Sequence, residues 1–331
     1  AIKLMPTNKI QKSIPIKKLK KIICIGEGTF GHVNLVSFQN DSYYILKDIV
    51  KYDVVENMQE ANVLAEKKTM QLCNHPFIIK MIGSYTDRYH ASFLLEFCQG
   101  GELSRQIYQS SKIMLERSVK FYASCIIMAL EHMHSLNIAH RDLKPDNVMI
   151  TSNGYCKLID LGLAKIIKDK TYTLCGTPSY FAPEMILAKG YNFAVDYWAL
   201  GVLIYEMFLK ETPFFQRGSA SDRMQEFRNI LVCSIKYPIE LSEETICFLQ
   251  QLLERNPSNR LGNTIGGVCS IYNSKWLKDV CLDNILHQQS TAPWIPHLNG
   301  PEDTSNFPLI SCPKKKVKPP KCRATTWDSD F

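Results

Sequence analysis

Long apolar runs are missing from this 331-residue chain. No stretch approaches the roughly 20 apolar residues that a membrane-spanning helix needs. The longest, Tyr197 to Phe208, is too short, carries Glu206 and reads as a buried helix. Cysteines number 12, yet no two stand in a C-x-x-C pair. Their scatter from Cys24 to Cys322, often inside apolar runs, argues against a disulfide framework or zinc site and for a reducing cytosolic or nuclear setting. Proline and glycine, at 16 residues each, dominate nothing, which excludes a collagenous or low-complexity chain. There is no internal repeat and no secretory h-region at the start. The first residue is Ala1 rather than Met, and a missing upstream segment is expected.

Net charge is also scarce over most of the chain. The formal value is +7, but Lys314, Lys315, Lys316, Lys318, Lys321 and Arg323 account for all but one of those charges. Basicity is thus a local property of the tail, around Pro313–Lys321, which argues against a nucleic-acid-binding surface. Three readings of that run stay open: a nuclear-import signal, a phospholipid contact, or a solvated linker.

What is present is a change of periodicity along the chain. Residues 1–20 are a polar, lysine-rich approach segment. Residues 21–50 alternate as strands around glycines, and 56–73 carry a helical pattern. Strand signals recur near Ile78–Met81 and Phe93–Phe97, and then Gln99-Gly100-Gly101 interrupts. Helical patterns follow at Leu115–Ser135, Asp196–Leu209 and Glu243–Glu254. The spacing predicts an α+β chain, with a small β-rich part (21–98), a larger helical part (99–290) and a proline-containing tail (291–331).

Chemistry-bearing residues sit in separated clusters. Gly26-Glu27-Gly28-Thr29-Phe30-Gly31-His32-Val33 has the glycine spacing that lets backbone N–H groups approach phosphate. A dinucleotide-binding turn would lead straight into a helix, whereas here the strand pattern continues through Val36. Lys47 ends an apolar strand, where a buried amine needs an anion, and Glu66 in the following helix can supply it. Downstream come Ala139-His140-Arg141-Asp142-Leu143-Lys144-Pro145-Asp146-Asn147, then Asp160-Leu161-Gly162, then Ala182-Pro183-Glu184.

In this order the clusters resemble the eukaryotic protein kinases, over about residues 20–331. The resemblance implies a two-lobed kinase fold with a β-rich N-lobe and an α-helical C-lobe. It implies ATP and Mg2+ as partners in phosphoryl transfer, a reaction served by positioning and charge neutralisation. Carried over residue by residue, Lys47 holds phosphates and pairs with Glu66, while Asn147 and Asp160 are metal ligands. Asp142 orients the substrate hydroxyl and accepts its proton, and Lys144 neutralises developing charge. The nucleotide is expected at Ile25 and the glycine loop through Val33, and at Ile45, Leu95, Glu96, Cys98, Glu102, Met149, Asp160 and Phe307. His140 reads as a packed core residue, Asp196 as a brace for the catalytic loop, and Glu184 as the ion-pair partner of Arg260.

Lys144 before Pro145 is the serine/threonine form of this loop. The segment Lys170–Pro178 and the tail Ala292–Phe307 resemble the cyclic-nucleotide-dependent kinases of the AGC group. That resemblance implies phosphorylation at Thr173, read by Arg141 and Lys165, and a contact of Thr177 with Asp142 and the substrate. It also implies recognition of substrate arginines at positions −2 and −3 by Glu102, Asp146 and Glu206. The ending Trp327-Asp328-Ser329-Asp330-Phe331 resembles the cGMP-dependent kinases more than the cAMP-dependent ones, and its last aromatic is expected to dock on the small lobe. An upstream or separate cyclic-nucleotide-binding module would then be a partner, with a cAMP-dependent catalytic subunit the alternative. Expected partners are otherwise proteins with basic motifs, not nucleic acid, and the expected location is cytoplasmic with a nuclear option. Ile45 stands where the family has alanine, and Leu161 where it has phenylalanine. Those two departures alone favour a rival scaffold without turnover.

Overall fold

The alternating strands of the first fifty residues pair into an antiparallel ladder. β1 (Lys20–Gly28), β2 (Gly31–Phe38), β3 (Ser42–Val50), β4 (Met81–Thr86) and β5 (His90–Glu96) form one sheet in the order β1-β2-β3-β5-β4. The computed structural model describes residues 14–39, 42–109, 113–215, 223–308, 326–329 and 331. Most of the approach segment and all of the basic run Pro313–Lys321 therefore lie outside the described residues.

Two compact units divide the chain. The first takes the residues up to Lys67, Lys80–Phe97, and those from Leu298 on. Period-2 alternation gives its sheet two different faces. Leu35, Ile45 and Leu95 stand in register on one face, with Val33, Lys47 and Phe93 in the next row on the same face. The other face buries Val36, Leu46 and Leu94 beneath Ile14, Leu19, Tyr44, Ile82 and Tyr85.

The helix expected over 56–73 is α2 (Glu60–Leu72), and a short helix that was not expected, α1 (Lys51–Glu56), precedes it with a break between the two. Asn57 explains the break: its backbone N–H and its side-chain amide both donate to the Asp53 carbonyl, at 3.1 and 2.7 Å. Met58 then turns left-handed, with φ +55°. A local amide that competes for a helix carbonyl is a stop signal the apolar pattern does not carry. The chain's last aromatic returns to this unit, where Phe331 packs on Phe93 with ring centroids 5.1 Å apart. The Lys67 ammonium lies 5.0 Å from the centre of the Phe331 ring. Asp328 is held by Lys51 and, at 2.6 Å, by the Thr86 hydroxyl.

The second unit takes Lys68–Ile79 and Cys98–His297 and is mainly helical. β6 (Gly101–Glu102) pairs with β8 (Val148–Ile150), which pairs with β9 (Cys156–Leu158), while β7 (Ile138–Ala139) pairs with β10 (Lys165–Ile166). α3 (Leu103–Gln109), α4 (Glu116–Ser135), α5 (Pro183–Ile186), α6 (Ala194–Leu209), α7 (Arg223–Val232), α8 (Glu243–Leu252), α9 (Gly267–Tyr272) and α10 (Leu282–Leu286) complete it. α8 starts where Ser242 caps the Thr245 N–H at 3.2 Å and Glu243 and Glu244 meet the positive end of the helix. Every residue of α6 from Ala194 to Phe208 is buried, so its two acids, Asp196 and Glu206, need built-in partners. Beside the start of α6, Glu184 and Arg260 form a buried two-pronged pair, 2.6 and 2.9 Å, with Arg260 also bonded to the Ala194 carbonyl at 2.8 Å.

Candidate active site

In the first unit the glycine segment is a strand–turn–strand hairpin. Gly28 pairs with Gly31, so Thr29 and Phe30 make the turn. Its glycines are there for different reasons. A Cβ on Gly31 would stand 1.8 Å from the Asp48 carbonyl oxygen, so the neighbouring strand excludes any side chain. On Gly28 the nearest atom would be 3.8 Å away, which leaves the loop's backbone open on that side. Lys47 follows on β3, and its ammonium meets Glu66 Oε1 of α2 at 2.7 Å.

The residue after Lys47 has a role the motifs did not signal. Asp48 accepts from Lys21 at 2.6 Å on β1, from Asn34 at 3.2 Å on β2, and from Ser92 at 2.7 Å on β5. One carboxylate thus links four strands around the glycine hairpin. Ile45 and Leu95 are buried neighbours across β3 and β5, and Phe307 rests on Phe97 with ring centroids 5.7 Å apart.

In the second unit the His140–Asn147 segment is held by Asp196. The fully buried Asp196 accepts the backbone N–H groups of His140 and Arg141, each at 2.9 Å, and Nε2 of His134 at 2.8 Å. Burial alone would raise the Asp196 carboxyl, but the hydrogen bond and charge of His134, with those of His140 and Arg141, outweigh it and hold it below the usual carboxylate range. This support lets Arg141 keep a left-handed backbone, φ +69°, which a non-glycine residue rarely adopts. His140 is packed in the core, and burial lowers its basicity. His134 could not be found by motif, because it lies on α4 and reaches Asp196 only through the fold.

Asp142 then gathers three partners. Thr177 Oγ1 donates to it at 2.8 Å, Asn147 Nδ2 at 2.9 Å, and the Lys144 ammonium lies 3.1 Å away while also bonding Thr177 at 3.0 Å. Because the Asn147 nitrogen turns to Asp142, the amide oxygen is left for a cation. Ile159 N–H donates to the Asn147 carbonyl at 3.1 Å, and Asp160 caps Gly162 N–H at 3.0 Å, which ties the two expected metal ligands to one framework. Among the described residues no group of three or more His, Cys, Asp or Glu is placed to hold a metal. Two oxygen donors suit a hard cation such as magnesium, which fills its shell with water and phosphate, and lack the thiolate or imidazole that zinc or copper favours.

The activation segment differs in detail from the expectation. Thr173 is exposed, and its carbonyl, not its hydroxyl, is engaged, by Tyr191 OH at 2.5 Å. Arg141 donates to Tyr191 at 3.3 Å, and Lys165 donates to the buried Thr171 at 3.0 Å. The structure therefore places both bases beside this segment without bringing either to the Thr173 hydroxyl. Of the acids expected to read substrate, Glu102 accepts from Ser104 at 2.8 Å and Asp146 is exposed. Glu206 is buried between the hydroxyls of Tyr108 and Tyr180.

Residues 19–277 match the protein kinase domain family. The chain is similar to a cAMP-dependent protein kinase, catalytic subunit-like, of Caenorhabditis elegans, 38% identical over 90% of this chain and 74% of the relative. It is similar to cAMP-dependent protein kinase type 3 of Saccharomyces cerevisiae, 38% identical over 86% of this chain and 70% of the relative. It is also 35% identical to human cGMP-dependent protein kinase 2 over 98% of this chain, which spans only 42% of that longer protein.

Proposed function

The chain belongs to the protein kinase domain family, as a kinase of AGC type, and we propose that it moves the γ-phosphoryl group of ATP to serine or threonine side chains of arginine-containing proteins. The observation that carries this reading is the Asp142 carboxylate held by Asn147, Lys144 and Thr177, a base fixed in orientation before substrate arrives. Lys47, oriented by Glu66, binds phosphate oxygens, and the open backbone at Gly28 admits them. Magnesium, when bound by Asp160 and Asn147, neutralises phosphate charge. Asp142 takes the proton of the incoming hydroxyl, and Lys144 offsets the charge that develops on the transferred group. Glu102, Asp146 and Glu206 favour basic side chains upstream of the target residue. Phosphate on the exposed Thr173 is proposed to draw Arg141 and Lys165 onto it and stiffen the segment.

A cGMP-dependent type is the preferred subtype, with its regulatory module outside this chain. Similarity to the human cGMP-dependent relative extends over 98% of the chain, hence into the tail. A cAMP-dependent type is the second reading, favoured by the higher identity of 38% to the worm and yeast proteins. The test is phosphate transfer from Mg-ATP to an arginine-rich serine peptide, with Asp142→Ala as the blank. Equal incorporation by the two proteins would reject the enzyme reading and favour the scaffold.

A further inference from the structure

Glu206 is an unusual carboxylate. It sits in the last turn of α6 with 5% of its surface exposed, yet among the described residues no basic side chain pairs with it. Its two oxygens instead accept one hydroxyl each, Oε1 from Tyr108 of α3 and Oε2 from Tyr180 of the short turn Pro178–Tyr180. A buried anion satisfied by neutral donors alone retains most of its desolvation penalty. Burial and the like charge of Asp146 raise the Glu206 carboxyl, against the pull of the two tyrosine hydroxyls. The site therefore gains from a cation.

The two tyrosines are not equivalent. Tyr180 is 7% exposed and fixed in the core, whereas Tyr108 is 51% exposed, near the end of its helix. Only Tyr108 can rotate into solvent without opening a cavity. A guanidinium bonds a carboxylate with two prongs, so it needs the oxygen that Tyr108 now occupies.

We propose that Tyr108 is a specificity-determining residue, a displaceable cap on Glu206 that an arginine of the peptide substrate must push aside. The inference rests on the reading of Glu206 as a substrate-recognising acid and adds who competes for it. Its consequence is a threshold. Arginine gains the buried carboxylate but loses to the cap part of what it gains, while an apolar residue at the same peptide position leaves the cap closed. Removing the hydroxyl removes the competitor and widens the gap between the two substrates.

The test compares two serine peptides that differ only by arginine or alanine two residues upstream of the serine. The wild type, Tyr108→Phe and Glu206→Gln are assayed, and the quantity read is the ratio of kcat/KM for the two peptides. Tyr108→Phe is expected to raise the arginine-to-alanine ratio roughly fivefold, the scale of one hydrogen bond to a charged group, through KM rather than kcat. Glu206→Gln is expected to collapse the ratio. An unchanged or lower ratio in Tyr108→Phe, with collapse in Glu206→Gln, overturns the cap while leaving the acid's role standing. No effect of Glu206→Gln on a clear arginine preference overturns the underlying reading as well. A general packing role for Tyr108 would lower both peptides equally and leave the ratio where it was, which also overturns the proposal.

Discussion

Thr177 donates its hydroxyl to the Asp142 carboxylate across 2.8 Å, and Lys144 bonds both members of the pair. The end of the Lys170–Pro178 segment is thereby joined to the group proposed to take the substrate's proton. Replacing Asp142 by asparagine should lower kcat by ~10²- to 10⁴-fold, the range for a positioned general base. Thr177→Val removes one orienting bond and should lose about tenfold or less. Steady-state kinetics on the folded variants checks both. Full turnover in the Asp142→Asn protein would remove it from the reaction.

The glycine hairpin yields a contrast between neighbours. Gly31→Ala sets a methyl against the Asp48 carbonyl and should destabilise by about 1–3 kcal/mol, as overpacking does. Gly28→Ala meets nothing within 3.8 Å, so its melting temperature should hold while its KM for ATP rises. Thermal denaturation alongside nucleotide titration separates the two, and the reverse ranking would refute the assignment.

The Glu184–Arg260 pair is a stability element. Arg260→Ala strands a buried carboxylate and should cost about 3–5 kcal/mol, whereas a double replacement by apolar residues of similar size should recover much of it. Denaturant midpoints give the comparison. Additive losses in the double variant would show that the ion pair is not the reason.

Acid sensitivity has an identified contributor. Burial, with the charges of His132 and Lys157, pushes His75 down from 6.5 to about 3. Between those limits the unfolded chain holds a proton that the folded chain does not, so stability rises with pH across the window and is lost on acidification. Replacement by glutamine should flatten the fall in melting temperature between pH 7 and 5. A curve parallel to the wild type would assign the loss elsewhere.

Contiguous clusters make much of the candidate site legible in the sequence. Gly26–Gly31, His140–Asn147 and Asp160–Gly162 are local because backbone geometry has to be shaped within a few residues. The residues that went unseen work through the fold. Asp48 binds three other strands, His134 reaches Asp196 from α4, and Tyr108 reaches Glu206 from α3. None has a neighbour in sequence that announces the contact. α1 went unread for a different reason: its six residues are too few to show a helical period, and the Asn57 amide ends it locally.

α6 carries Asp196 in its first turn and Glu206 in its last, ten residues on and so about 15 Å along the axis. One acid braces the backbone at His140 and Arg141, and the other lies between two tyrosines. Buried on all sides, the helix cannot absorb a change of length by bulging outward. Inserting or deleting one residue between the two acids would turn one by about 100° relative to the other. Length variation in this region is therefore expected in the loops flanking α6 and not within it.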